Sequence, residues 1–380
     1  MNKFYNLLSI VSGFFIKYLF QNVAVDDIII IGSSTGNGFS DNGKHLFIYW
    51  HKQNKKAFFV TRSFQVYKRL KQEFGPQILY NYSFRGISKI IRAQYYFFTH
   101  NEADILFAHN KKTQIICLFH GMPIKCIYND YRGKGPRKNK IVSALFKKFA
   151  VGFKTQEFDL IVSTGAFFNK FLKSAFQNEN VKVLSYPRIN YLADRIRSHS
   201  VSSTGYKTIL YMPTHRDYGF GSLNPFIFYN DTEFLNDLSK QYYEVRYRFH
   251  PNMTKSLEKV EENFNKEMLD KNLDAQDALS SADILISDYS SCVFDYLICE
   301  KPIVFYHYDD YETADNNLYY KVETLNIGPV VKTEAELKNI ITKIVADQIY
   351  RNGLIENIKR IKNKYVEETN GWNDYTYFEI

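Results

Sequence analysis

Twelve short apolar runs, each three to seven residues long, punctuate this chain, and the polar or amphipathic stretches between them are long enough to hold a helix. Hairpins close with a few residues, whereas parallel strands need crossovers of a dozen or more. The rhythm therefore predicts βα units and a parallel sheet. The predicted strands of the first half are Ile28–Ile31, Ala57–Thr61, Ile78–Tyr80, Tyr95–Thr99, Gln114–Phe119, Leu160–Ser163 and Val181–Leu184. Those of the second half are Thr208–Met212, Tyr243–Phe249, Ile284–Ile286, Ile303–Tyr306 and Pro329–Val331. Between the two sets, Arg197–Tyr206 (RSHSVSSTGY) is serine-rich and strand-free, as a linker would be. The expected organisation is α/β, with two Rossmann-like doubly wound domains facing a central cleft. They occupy residues 25–196 and 207–348, flanked by an N-terminal helix over 1–24 and a helical tail over 349–380, with the linker at 197–206. A chain of 380 residues is long enough for two such cores.

Four short polar motifs fall at predicted strand ends. His120 opens HGMPIK, Pro213–Asp217 reads PTHRD, His250 opens HPN, and Asp288–Ser291 (DYSS) lies between a strand and a helix. Ligands of doubly wound sheets bind outside the carboxyl ends of strands, so these motifs are candidates for one active site. Two serines at a helix start offer hydroxyls and free N–H groups where the helix dipole is positive, which suits a phosphate. Ordinary capping is the alternative reading of such a turn. The turn Gly32–Gly38 (GSSTGNG) follows the first strand but matches neither GxGxxG nor a GK[ST] loop. A plain βα turn explains it at least as well as a set of phosphate-facing amides.

Charge narrows the partner class. From Lys125 to Lys154 there are nine basic residues and one acid, Asp130, a net of +8 out of +9 for the chain. Such a cluster implies a phosphorylated substrate, an acidic lipid surface or nucleic acid, or else is a solvated basic face. No RNP motif, zinc finger or recognition helix accompanies it, so nucleic acid ranks last and is not an expected partner. Cys117, Cys126, Cys292 and Cys299 form no CxxC pair and read as reduced thiols in a cytosolic setting. No DxD-type or zinc-ligand spacing is present, and no obligatory metal or cofactor is expected.

Residues 4–20 are almost wholly apolar, with polar or small residues at Asn6, Ser9, Ser12, Gly13, Lys17 and Gln21 drawing a narrow stripe along a helix. A membrane span needs about 20 apolar residues, without an internal lysine in the ideal case. The better reading is a helix lying on a membrane surface or on the protein itself. Together with the basic segment this predicts a peripheral location at the cytoplasmic face of the membrane, on an anionic surface.

HGMPIK, SYPRIN (185–190), YMPTHRD (211–217), RFHPN (248–252) and the strand–turn–helix over 283–306 stand in the order and spacing of the CDP-glycerol glycerophosphotransferases. The chain resembles these enzymes of teichoic acid and capsule polymer synthesis from about residue 32 to 310, and FSDNGK (39–44) is similar to another of their motifs. The resemblance implies a GT-B-like fold and a reaction that moves glycerol phosphate from a CDP-polyol, here CDP-glycerol as co-substrate, to a hydroxyl of a lipid-linked or polymeric acceptor, with release of CMP. By the same resemblance His120 would be the general base. His250 would join it at the catalytic centre, holding the donor pyrophosphate with Arg216, Ser290 and Ser291. Asp295, one helical turn beyond Ser291, would bind the ribose. Lys125, Arg188 and Asp288 are further candidates for phosphate or acceptor contacts, Asp288 chiefly as the residue that orients the turn. Met122, Ile124 and His215 depart from the family pattern, as does SYPRIN at its first, fifth and sixth positions, which bears on the polyol and acceptor rather than on the reaction class. Two other readings stay open: a GT-B glycosyltransferase using a nucleotide sugar, and a non-catalytic lipid- or polyanion-binding protein. Ribitol phosphate is the alternative transferred unit.

Overall fold

Ile28–Ile31 are all buried, with no alternation of inward and outward positions, and such a run is stable only in a strand covered on both faces. The computed structural model describes residues 13, 15–100, 102–106, 108–131, 158–198, 206–214, 227–228, 230–249, 274–309, 318–368 and 372. Twelve parallel strands lie among these residues, in two sheets. The first contains β1 (Asp26–Ile31), β2 (Ala57–Thr61), β3 (Ile78–Tyr80), β4 (Ala93–Phe98), β5 (Gln114–Cys117), β6 (Leu160–Ser163) and β7 (Val181–Val183), in the order β3-β2-β1-β4-β5-β6-β7. The second contains β8 (Lys207–Tyr211), β9 (Tyr243–Tyr247), β10 (Ala282–Ser287), β11 (Ile303–Tyr306) and β12 (Val330–Val331), in the order β12-β11-β10-β8-β9. Each sheet grows outward from its first strand in both directions. The reversal falls between β1 and β4 in one sheet and between β8 and β10 in the other, and these are the places where doubly wound folds bind ligands.

The chain divides into two units. The first comprises Met1–Met122, Lys134–Arg188 and Thr369–Ile380, and the second Pro123–Gly133 and Ile189–Glu368. The division thus falls inside SYPRIN, at the start of the helix Pro187–Ser198, rather than in the expected linker at 197–206, most of which lies outside the described residues. HGMPIK is split as well. Beyond Met122 the chain is stapled to the second unit, where Lys125 pairs with Leu318 in an antiparallel bridge, Tyr319 N–H donates to the Ile124 carbonyl at 2.9 Å and the Tyr320 hydroxyl to the Pro123 carbonyl at 2.7 Å.

The core of the second unit gathers Tyr211, Tyr247, Ile284 and Val304 from the strands with Leu337 and Ile341 from the helix Glu334–Ala346. A capping box between Thr333 and Glu336 starts that helix. The expected tail at 349–380 is helical through Tyr365, the end of the helix Gln348–Tyr365. Trp372 then packs in the first unit, edge-on to Trp50 and Phe97, and donates its indole N–H to the Ser185 carbonyl at 2.6 Å. A buried indole of this kind needs both an apolar slot and an acceptor, and no helical period announces it.

At the N-terminus residues 15–20 are helical, while 1–12 and 14 lie outside the described residues, as does 132–157, which holds most of the basic segment. Within the first unit Lys17 of this helix turns inward: its Nζ meets His109 Nε2 at 2.6 Å, and His109 Nδ1 meets buried Glu102 at 3.0 Å. Phe15, Tyr18, Leu19 and Phe20 are exposed. Among the described residues no helix is long and apolar enough to cross a membrane.

Candidate active site

In the first unit the polar groups gather where β1, β4 and β5 end. Asp104, in the 3-10 turn Glu102–Asp104, is fully buried. Its Oδ2 accepts from the backbone N–H groups of Thr99 (2.8 Å) and His100 (2.9 Å) and from the Thr99 hydroxyl (3.0 Å), and its Oδ1 accepts from Thr35 N–H at 2.5 Å. Thr35 belongs to the Gly32–Gly38 turn, so that turn braces Asp104. Gly32 is required by close approach, since a Cβ there would lie 2.5 Å from the Asp104 carbonyl oxygen. The single hydrogen of the Thr99 hydroxyl goes to Asp104, so its oxygen accepts from His100 Nδ1, 2.8 Å away.

β5 stops at Cys117, two residues before the predicted end, because Phe119 has left-handed backbone geometry (φ 52°) and turns the chain out of the sheet. Such a conformation in a bulky residue stores strain of about 1–3 kcal/mol and persists where its surroundings hold it. Here Asn42 Nδ2 donates to the Phe119 carbonyl at 2.8 Å and Arg188 Nη1 to the His120 carbonyl at 2.8 Å, while Arg188 also pairs with Asp41. Three motifs far apart in sequence, FSDNGK, HGMPIK and SYPRIN, therefore meet at His120. Arg188, predicted as a phosphate or acceptor contact, is buried and placed to hold the His120 backbone. The His120 ring stacks on His100, with centroids 4.6 Å apart and planes 7° from parallel, and its Nδ1 faces the Thr99 carbonyl at 3.4 Å. A carbonyl can only accept, so Nδ1 carries the hydrogen and Nε2 keeps the lone pair in the neutral ring.

Charges in this cluster oppose one another. Burial alone would raise the Asp104 carboxyl, but the hydrogen bond and charge of His100, with the N–H groups of His100 and Thr99, hold it below the usual range. Burial would lower His100, and its bond to Asp104 and the charges of Asp104 and Asp41 outweigh this and raise it. Burial first, then the positive charge of His100 and that of Arg188, push His120 down to about 4, against the pull of Asp41 and the Thr99 carbonyl. His120 is nevertheless solvent-exposed as a residue, and water on its open side opposes the burial contribution. The downward shift favours the neutral imidazole, which has a lone pair to accept a proton.

In the second unit the DYSS turn is tied to the end of β8. Asp288 is fully buried and its Oδ1 accepts from the Thr214 N–H (2.8 Å) and hydroxyl (2.5 Å), while the Ser287 hydroxyl donates to the Met212 carbonyl at 2.7 Å. Asp288 therefore orients the turn. Ser291 is the N-cap of the helix Cys292–Tyr296, yet its hydroxyl makes no capping bond, and Ser290 Oγ accepts from Cys292 N–H only at 3.4 Å. Capping does not account for Ser291. Asp295 is 4% exposed and accepts from Gln276 Nε2 at 3.2 Å, so its carboxylate faces the helix Ala275–Ser281. Tyr289 stacks on His307 at 4.2 Å, a pairing the sequence reading missed. Arg216 and His250 lie outside the described residues, as does His215. Lys125 belongs to the second unit, whereas His120 belongs to the first.

Two parallel-sheet units, each with polar motifs at the switch point of its sheet, make an α/β fold of the GT-B type. The chain belongs to the CDP-glycerol:poly(glycerophosphate) glycerophosphotransferase family, whose sequence model matches residues 14–373. It is 26% identical over 337 residues to a teichoic acid poly(glycerol phosphate) polymerase of Bacillus spizizenii, a match that covers 84% of each chain. A teichoic acid glycerol-phosphate transferase of Staphylococcus aureus is 25% identical over the same length and shares. Among solved structures the wall teichoic acid polymerase TagF, as a point variant, superposes with a TM-score of 0.72 at 20% identity, covering all of this chain and 96% of the other. That likeness establishes the fold. The activity that goes with the family is transfer of glycerol phosphate from CDP-glycerol.

Proposed function

We propose that the chain transfers glycerol phosphate from CDP-glycerol to a terminal hydroxyl of a lipid-linked or polymeric acceptor of the teichoic acid type, with His120 as general base. The observation that carries this reading is the placement of His120 after β5 with Nδ1 3.4 Å from the Thr99 carbonyl, an arrangement that favours the neutral tautomer with the lone pair on Nε2. The acceptor oxygen attacks the β-phosphorus of the donor, its proton passes to Nε2, the bond from that phosphorus to the bridging oxygen breaks, and CMP leaves with the bridging oxygen. General-base assistance of this kind contributes about 10² to 10⁴ in rate. In phosphoryl transfer the rest is positioning and charge stabilisation. The hydroxyls of Ser290 and Ser291 are assigned to the donor pyrophosphate, with Arg216 and His250 assigned to the same group on family resemblance. A buried Asp295 bonded to Gln276 suits a ribose contact less directly, and its role is to hold the helix behind the turn unless a donor draws it out.

The N-terminal helix supports attachment to a membrane surface. Its lysine is turned inward to His109 while Phe15, Tyr18 and Leu19 are exposed, and Lys111 and Lys112, exposed next to its end, suit anionic headgroups. Incubation with CDP-glycerol and with CDP-ribitol in the presence of a glycerol-phosphate-primed acceptor tests the reaction. CMP release with CDP-glycerol and a new phosphodiester in the ³¹P spectrum are expected, and a glycosidic product or turnover of CDP-ribitol alone would overturn the assignment. Sedimentation with anionic vesicles tests the location: Phe15→Ser combined with Leu19→Ser should abolish it.

A further inference from the structure

We propose that His100 is a positioning residue for His120: held by Thr99 and Asp104, its ring lies flat against the base and fixes which edge of His120 meets the Thr99 carbonyl and which remains for the acceptor. This rests on His120 being the base of the reaction proposed above. His100 follows β4 as His120 follows the end of β5, and β4 and β5 are paired neighbours, so the two rings are delivered to the same place by adjacent strands. The chain of bonds from His100 Nδ1 through the Thr99 hydroxyl to Asp104 fixes the first ring, and a near-parallel stack at 4.6 Å transfers that orientation to the second. Asp104 is braced by backbone N–H groups of Thr35, Thr99 and His100, so the support is rigid.

The stack also carries charge. The ionisable groups that bear on His120 are His100 at the end of β4, Asp104 beneath it through His100, Asp41 at the start of the helix Asp41–Lys52, and Arg188 at the start of Pro187–Ser198. Asp104 favours the cationic form of His100, and cationic His100 resists protonation of the ring stacked on it. The base therefore stays unprotonated to lower pH than a solitary histidine, at the cost of some proton affinity.

Two substitutions separate ring from charge. His100→Phe keeps a flat ring and removes the charge and the Nδ1 donor; His100→Gln removes the ring. The NMR titration of His120 in the full chain and the pH profile of kcat/KM for CMP release are the measurements, with thermal melting to verify folding. In both variants the His120 midpoint is expected to rise by roughly one pH unit, with the acid limb of the rate profile following it. The His100→Gln variant is expected to lose about tenfold in kcat beyond His100→Phe, with KM for CDP-glycerol unchanged, because only it releases the ring. A His120 midpoint that stays in place in both folded variants would overturn the proposal. If the midpoint rises and the rate profile does not follow, the coupling of the two histidines stands and the assignment of His120 as base falls instead.

Discussion

The two polar clusters of this molecule occupy equivalent places in their sheets and are built in opposite ways. At the β1/β4 reversal the groups bind one another: Asp104 takes four hydrogen bonds, Arg188 and Asn42 grip two successive carbonyls, and two histidines stack. At the β8/β10 reversal the scaffold is tied down just as firmly through Asp288 and Ser287, yet among the described residues the Ser291 hydroxyl makes no capping bond and Ser290 bonds only its neighbour Cys292, with the N–H at a long 3.4 Å. The difference matches the chemistry assigned to each. A general base must hold one tautomer and one orientation before the substrate arrives, so its surroundings are completed within the protein. A cradle for an anion does better with donors that the fold itself does not use, because those donors are available to the ligand.

Substitutions that sharpen the contrast should sort accordingly. The largest effect is expected for His120→Ala, a loss of about 10² to 10⁴ in kcat with little change in melting temperature, since the residue is exposed overall and the hydrogen bond that anchors the loop is made by its carbonyl rather than its ring. Replacing Ser290 and Ser291 together by Ala should remove the two hydrogen bonds proposed to the donor pyrophosphate, and bonds to charged groups are each worth about 1.5–3 kcal/mol. This should appear as a loss of at least tenfold in kcat/KM for CDP-glycerol, again with folding intact; a large drop in stability would mean that the hydroxyls are structural after all. Gly32→Ala attacks the brace of the first cluster, and the clash with the Asp104 carbonyl should lower stability by about 1–3 kcal/mol in a melting experiment.

The smallest expected effect is a pH dependence of stability. His100 is raised in the folded chain, so its pairing with Asp104 stabilises fully below the ordinary histidine value of 6.5 and fades as pH climbs through the raised value. Asp104 is lowered, so its share is lost only in acid, below the ordinary value of 3.8. The melting temperature of His100→Gln should therefore fall short of the unaltered chain by a few degrees near pH 5.5 and by less at pH 8.

Much of the fold was legible because a buried parallel strand writes itself as an unbroken apolar run. Ala57–Thr61, Ile78–Tyr80, Leu160–Ser163 and Ile303–Tyr306 have the same bounds in sequence and structure, and the remaining strands differ by a residue or two at their ends. The largest misplacements have local causes, such as the left-handed Phe119, which no propensity anticipates. Of the candidate site, His120 and the serine turn were legible as polar residues at strand ends. His100 and Asp104 carried the same signal, since Thr99 closes a predicted strand, but no motif drew attention to them. Arg188 and Asp288 were legible as polar residues of the motifs, Asp288 already as the residue that orients its turn, whereas the ion pair between positions 41 and 188 has no trace in local sequence. Trp372 was missed for a similar reason: its partners Trp50 and Ser185 are reached only through the tertiary fold.

The division of labour between the two clusters is tested most directly by measuring CDP-glycerol binding by calorimetry and CMP release on the same preparation of His120→Ala. The account predicts donor affinity equal to that of the unaltered chain together with CMP release reduced at least a hundredfold. Release at the unaltered rate would contradict it.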